Sequence, residues 1–149
     1  MIEKSLIGLS AVEISELIGA AGFNNTFAIS VAHGIYKKRT TDIGLIKKIP
    51  KKLRDMLKEN FFSGIFPPVE SELSSDGTIK YLFRAGEGKL FETVYIPDNK
   101  RNTVCVSTQS GCRMGCSFCV TAGYGFHGNL TAGEIVNQVI SLPGAGTVT

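Results

Sequence analysis

The stretch TVCVSTQSGCRMGCSFC, Thr103 to Cys119, decides how the rest of the chain is read. Its first five residues alternate polar and apolar side chains and are rich in β-branched residues, the pattern of a strand. The alternation then stops. From Thr108 to Leu130 glycines and cysteines replace any period, and loops that long are usually functional. All four cysteines, Cys105, Cys112, Cys116 and Cys119, fall inside this one stretch. Cysteines so crowded do not staple distant segments, which argues against a disulfide scaffold. The last three read Cys-x3-Cys-x2-Cys, and thiolates at that spacing in a glycine-containing loop can converge on one soft metal centre. Structural zinc takes four protein ligands, commonly from paired Cys-x2-Cys knuckles, and only one such pair is present. Three thiolates without an obvious fourth suit a [4Fe-4S] cluster with one iron left open, although the bacterial ferredoxin spacing does not match. His127 is the nearby candidate for a fourth ligand, but a lone loop histidine seldom is one.

Working outward, Thr131 and Glu134 form a capping box that opens a helix through Ile135, Val136, Val139 and Ile140. Beyond Pro143 a turn and a further strand are expected. Upstream, Thr78–Arg84 and Lys89–Ile96 show period-two alternation around the turn Ala85-Gly-Glu-Gly88, a β-hairpin signature. Glu92 lies on one strand face with Leu90, Val94 and Ile96. A carboxylate in that company can be desolvated and its pKa raised toward that of a general base. The alternative is an edge strand whose face is open to water. Cys105 points away from Val104 and Val106, and taken alone it reads as a buried, inert cysteine.

The first sixty residues carry the helical period instead. Ser10 and Glu13 form a capping box, and Ile14, Leu17 and Ile18 follow at helical spacing before Gly22 ends the run. A second helix fits Thr26–Lys38, with Phe27, Val31 and Ile35 on one stripe. A third starts near Pro50 and is expected to bury Leu53, Met56, Leu57 and Phe61. Pro67-Pro68 stops helix and marks a boundary. Net charge over the 149 residues is only +3, yet between Lys37 and Lys58 nine basic residues face only Asp42 and Asp55. A basic segment on a near-neutral body points to a polyanion partner, because phosphate contacts release counterions; a solvated helical surface is the plainer reading. With 43% hydrophobic and 19% charged residues, wholesale disorder is excluded. No apolar run reaches the roughly 20 residues of a membrane helix, and no signal-peptide core is present, so a soluble, cytoplasmic protein is expected. The length suits one domain or two small ones, and is short of the roughly 250 residues of a full (β/α) barrel.

The cysteine spacing, with aromatic Phe118 just before Cys119, resembles the cofactor loop of radical S-adenosylmethionine (SAM) enzymes. The resemblance narrows on ETVYIPDNKRNTVCVSTQSGCRMGCSFC, Glu92 to Cys119, followed by GFHGNLTAGEIVNQV, which is similar to the RlmN/Cfr family of radical SAM RNA methyltransferases. The basic stretch IPKKLRDML, Ile49–Leu57, is similar to that family's N-terminal accessory domain. The chain departs from the family at Ala122 and Gly128, where glycine and arginine are usual.

The resemblance implies an α/β fold: a helical, RNA-binding accessory domain over residues 1–66, then the start of a radical SAM core over residues 67–149. That start would comprise a β-hairpin, strand 1, the cluster loop and helix 1 of a partial (β/α) barrel. It implies Cys112, Cys116 and Cys119 as ligands of a [4Fe-4S] cluster whose open iron binds SAM, with Phe118 beside the cofactor. It implies Glu92 as proton acceptor, and Cys105 as the cysteine that resolves a covalent protein–RNA adduct by forming a disulfide. The implied reaction methylates C2 of an adenine in 23S rRNA, with tRNA as a further candidate substrate, through a methyl-cysteine, in a monomer fed by an electron donor such as flavodoxin. The family's Gly-Glu-Pro segment and its methyl-carrying cysteine are absent from these residues, so the chain reads as the N-terminal part of such an enzyme and is expected to be inactive alone. The competing readings are a non-catalytic, zinc-containing RNA-binding module and a non-functional gene fragment.

Overall fold

The structure, a computed structural model, describes residues 4–99 and 101–143. The chain divides into two compact units, Met1–Phe66 and Pro67–Thr149.

In the first unit, β1 (Lys4–Ser5) pairs in parallel with β2 (Phe61–Phe62). The pairing is prolonged by Leu6 N–H donating to the Phe62 carbonyl at 3.0 Å and Ile7 N–H to Ser63 at 2.9 Å. Between these strands lie α1 (Ala11–Ala20), α2 (Phe27–Ala32) and α3 (Lys51–Asn60). The Ser10–Glu13 capping box is formed as its residues demand: each partner's side chain accepts from the other's backbone N–H. Leu6, Ile14, Ile18, Val31, Ile35, Ile46, Leu53 and Leu57 are all fully buried and make the core.

Two expectations change here. The segment expected as one helix from Thr26 to Lys38 winds its last turn, His33–Lys37, as a π-helix. The wider turn sets Gly34 directly against the Ile46 side chain, where a methyl group would already be crowded. Phe61 does not extend α3 but enters β2, because the N-terminal strand offers it a backbone partner; it and Met56 are half-buried.

The second unit is built on a four-stranded antiparallel sheet in the order β3 (Glu70–Leu73), β4 (Ile79–Arg84), β5 (Leu90–Ile96), β6 (Thr103–Cys105). The expected hairpin is its centre, pinned by the directly opposed Phe83 and Phe91, whose rings stack at 5.7 Å. β3 was not expected: its four residues are all exposed and carry no apolar alternation to betray them. Nor does the segment from Thr108 to Leu130 lack structure. β7 (Gln109–Gly111) and β8 (Phe126–Asn129) pair antiparallel and clamp the base of the cysteine loop, with the short α4 (Val120–Gly123) inside it. α5 (Ala132–Ile140) begins at the Thr131–Glu134 capping box as read from the sequence. Residues 144–149, where a further strand was expected, lie outside the described residues, as does Lys100 of the turn before β6.

One face of the sheet, carrying Tyr81, Phe83, Phe91 and Thr93, is buried, and α5 reaches it through Gln138. The opposite face, carrying Lys80, Leu82, Glu92, Val94 and Cys105, is at best half-buried.

Candidate functional site

Antiparallel register decides which side chains meet on the open face. Val94 stands opposite Cys105, and Leu82 opposite Glu92, so Glu92 and Cys105 share that face one step apart along neighbouring strands. The Glu92 carboxylate is 49% exposed and lies 3.6 Å from Lys80 Nζ. Lys80 also reaches Glu72 at 3.3 Å, and the bond to Glu72, with the charge of Glu92 next, holds its ammonium above the ordinary lysine value. Leu90 and Ile96 are 43% and 42% exposed. The desolvation considered for Glu92 is therefore not present: α5 covers the other face and leaves this one to water. Cys105, read alone as buried and inert, is exposed.

The backbone after β6 follows β5 by side chains instead of a ladder. Ser107 Oγ donates to the Glu92 carbonyl at 2.6 Å, and Ser110 Oγ to the Leu90 carbonyl at 2.7 Å. Gln138, fully buried on α5, completes the anchorage. Its Oε1 accepts from Ser107 N–H at 2.8 Å and from the Thr93 hydroxyl at 2.7 Å, while its Nε2 donates to the Ser107 carbonyl at 2.8 Å. A side-chain amide thus satisfies both backbone groups of Ser107, as a neighbouring strand would. None of Thr93, Ser107, Ser110 and Gln138 was singled out from the sequence. A glutamine inside an apolar helical stripe was the available signal.

β7 then delivers the chain into the loop. Gly111 has φ +69°, and a side chain there would overlap the Gly125 carbonyl, which Cys112 N–H uses at 3.0 Å. Cys112, Cys116 and Cys119 are free and half-buried, whereas the residues between them are exposed. Arg113 lies over the Phe126 ring at 4.4 Å and ties the loop's outer side to β8. The Cys119 thiol is held below its ordinary value, chiefly by the Ala122 backbone N–H, which outweighs the opposing effect of desolvation, with Thr121 adding to the lowering. Phe118 is 90% exposed beside exposed Met114, Val120 and Tyr124. His127 Nε2 lies 2.9 Å from the Tyr124 carbonyl, so that nitrogen carries a proton and is turned away from any ligand role.

A cavity of about 510 Å³ joins these parts. Its walls include Leu82, Leu90 and Glu92 from the open sheet face, Ser107 and Gly111, and Thr121, Tyr124 and His127 from the loop. Among the described residues, no three His, Cys, Asp or Glu side chains are gathered closely enough to hold a metal ion. The donor set nevertheless fits a thiolate-ligated cluster by its chemistry: three free, half-buried thiols in one loop, one already biased toward thiolate. Their convergence on one centre would be made by the cluster itself. All four cysteines are unbridged, so no disulfide is present. No helix among the described residues is long and apolar enough to cross a membrane.

A three-cysteine loop following a strand is thus set on a mixed α/β unit, and this fold has a counterpart among solved structures. The crystal structure of a radical SAM methyltransferase from Sphaerobacter thermophilus matches with a TM-score of 0.82 and 39% identity, over 92% of this chain and 40% of that one. Among curated proteins, the probable dual-specificity RNA methyltransferase RlmN of Bacteroides thetaiotaomicron is 41% identical over 143 residues, covering 96% of this chain and 41% of its own length. That of Parabacteroides distasonis is 43% identical over 150 residues, covering 100% and 44%. No family model matches the chain. The chain belongs to the RlmN-type radical SAM methyltransferase family. It spans about two fifths of the length of the curated relatives it matches.

Proposed function

We propose that this chain is part of a radical SAM RNA methyltransferase that methylates C2 of an adenine in 23S rRNA, and of tRNA, by way of a methyl-cysteine. The observation that carries the reading is the loop of three free, half-buried thiols clamped by β7 and β8, next to a cavity whose wall includes Glu92 and Gly111. Cys112, Cys116 and Cys119 would hold a [4Fe-4S] cluster, and Phe118, exposed beside them, would contact the cofactor. Cluster and SAM, when bound, supply a carbon radical after one-electron reduction by a donor of the flavodoxin kind. Glu92 would accept the proton released from the adenine; its exposure gives that proton a path to water, and Lys80 Nζ lies 3.6 Å from its carboxylate. Cys105, exposed on the same face, would free the RNA by pairing with the methyl-carrying cysteine, which lies outside these residues. The helical residues 1–66 form an accessory, RNA-binding domain, residues 67–149 belong to the catalytic core, and the protein acts as a cytoplasmic monomer.

The test is anaerobic reconstitution of the complete polypeptide with iron and sulfide, followed by reaction with 23S rRNA and nucleoside analysis. The expected outcome is 2-methyladenosine, with Cys112→Ala losing iron and product together. An rRNA without that nucleoside removes the substrate assignment. Zinc in place of iron and sulfide in anaerobically purified protein would replace the enzyme by a zinc-bound RNA module.

A further inference from the structure

A second cavity, of about 610 Å³, lies wholly within the first unit. Its floor is Gly34 and Ile46, where the π-turn packs against the following segment, and its walls carry Lys38, Lys47 and Lys48 with no acidic residue. The ion pairs among the described residues draw on Lys58 and Lys80, not on these three lysines. At the rim, Ile29 is 74% exposed and Leu45 67% exposed, so cations and apolar surface sit side by side.

The backbone is unusual at the same place. Lys48 has φ +62° and, nearby, Arg39 has φ +54°; these are the non-glycine residues with positive φ among those described. A left-handed lysine costs roughly 1–2 kcal/mol relative to the conformation that glycine adopts freely. Strain of this kind, like π-turns, gathers at functional sites. A side chain kept there at a cost in stability is kept for what it contacts.

We propose that this groove binds one unstacked nucleotide of single-stranded RNA, its phosphate on Lys38, Lys47 and Lys48 and its base against Ile29 and Leu45. The volume falls within the roughly 300–1,000 Å³ of small-ligand sites. The division of chemistry matches a nucleotide, with an anion for the lysines and a flat apolar face for the rim. The inference rests on the reading of RNA as the substrate, and it adds where in the first unit a strand of that RNA is gripped.

The test needs no cluster. Binding of a fluorescent single-stranded RNA to the 149-residue chain is followed by anisotropy across a salt series, beside a duplex of the same length and polyglutamate. Lys48→Gly removes a cation and relieves the left-handed strain, so its thermal transition is retained or raised. Loss of one phosphate contact weakens single-strand binding about fivefold at 0.1 M salt and reduces the salt slope by about 0.7. Leu45→Ser weakens binding while leaving the salt slope unchanged. Lys52→Ala, on α3 and outside the groove, has a smaller effect. The proposal is overturned if Lys48→Gly and Leu45→Ser both bind as the parent does, or if duplex or polyglutamate binds as tightly as single-stranded RNA. A chain that binds RNA through other residues loses the groove but keeps the methyltransferase reading, which the nucleoside analysis decides separately.

Discussion

Gln138 is the residue on which the geometry of the site turns. Its amide meets the Thr93 hydroxyl and both backbone groups of Ser107, and Ser107 in turn holds the carbonyl of Glu92. Replacing it by leucine keeps the bulk but orphans three polar groups, two of them on the segment that leads from β6 to the thiol loop. Each buried polar group left unpaired costs about 1–3 kcal/mol, so Gln138→Leu is expected to lower the unfolding free energy by about 3 kcal/mol. Urea denaturation measures this. In the complete protein the same variant should also load less iron, because Ser107 feeds the β7–β8 clamp. Gln138→Glu, which retains the acceptor, should recover part of the stability. A loss no larger than that of an exposed substitution would show that water replaces the amide.

At the scale of the element, the two capping boxes and the π-turn illustrate opposite kinds of control. The Ser10–Glu13 box is a local device. The Ser10 backbone N–H, and after it the Ser10 hydroxyl, hold the Glu13 carboxyl below its ordinary value. A carboxyl that is more acidic in the folded state adds stability above its unfolded pKa and gives it up as pH falls through the folded one. Glu13→Ala should therefore lower the Tm at neutral pH, with the gap to the parent narrowing in acid. Ser10→Ala should cost about 1 kcal/mol but remove only the smaller, hydroxyl-borne part of that pH dependence, because its backbone N–H remains, as read by thermal scans across the acid range. The π-turn is not local in this sense. His33–Lys37 adopts it because Gly34 has Ile46 to rest on, and the periodicity of Phe27, Val31 and Ile35 alone calls for an uninterrupted α-helix.

For the molecule as a whole, the consequence of two units is that each carries its own core. Leu53 is fully buried among the helices of the first, and Phe83 is fully buried on the sheet of the second. Leu53→Ala removes core volume and should cost about 2–4 kcal/mol. Hydrogen exchange should place that loss in residues 4–66, with the amides of β4 and β5 keeping their protection. Uniform loss across both units would show that they unfold as one.

Much of this was legible in the chain itself where the signal is local. Capping boxes, the Pro50 start of α3, the hairpin about Ala85–Gly88 and the spacing of Cys112, Cys116 and Cys119 all act within a few residues. Each has the same physical meaning in any context. Tertiary structure alone decided what depends on partners far along the chain. Phe61 became a strand because Lys4 lies beside it, and Gln109–Gly111 because Phe126–Asn129 returns to meet it. Glu92 stayed open to water because α5 chose the other face of the sheet, through a contact between Thr93 and Gln138. Segments of two to four residues are too short to show a period, and which face of a strand is covered depends on an element that the strand's own residues do not encode.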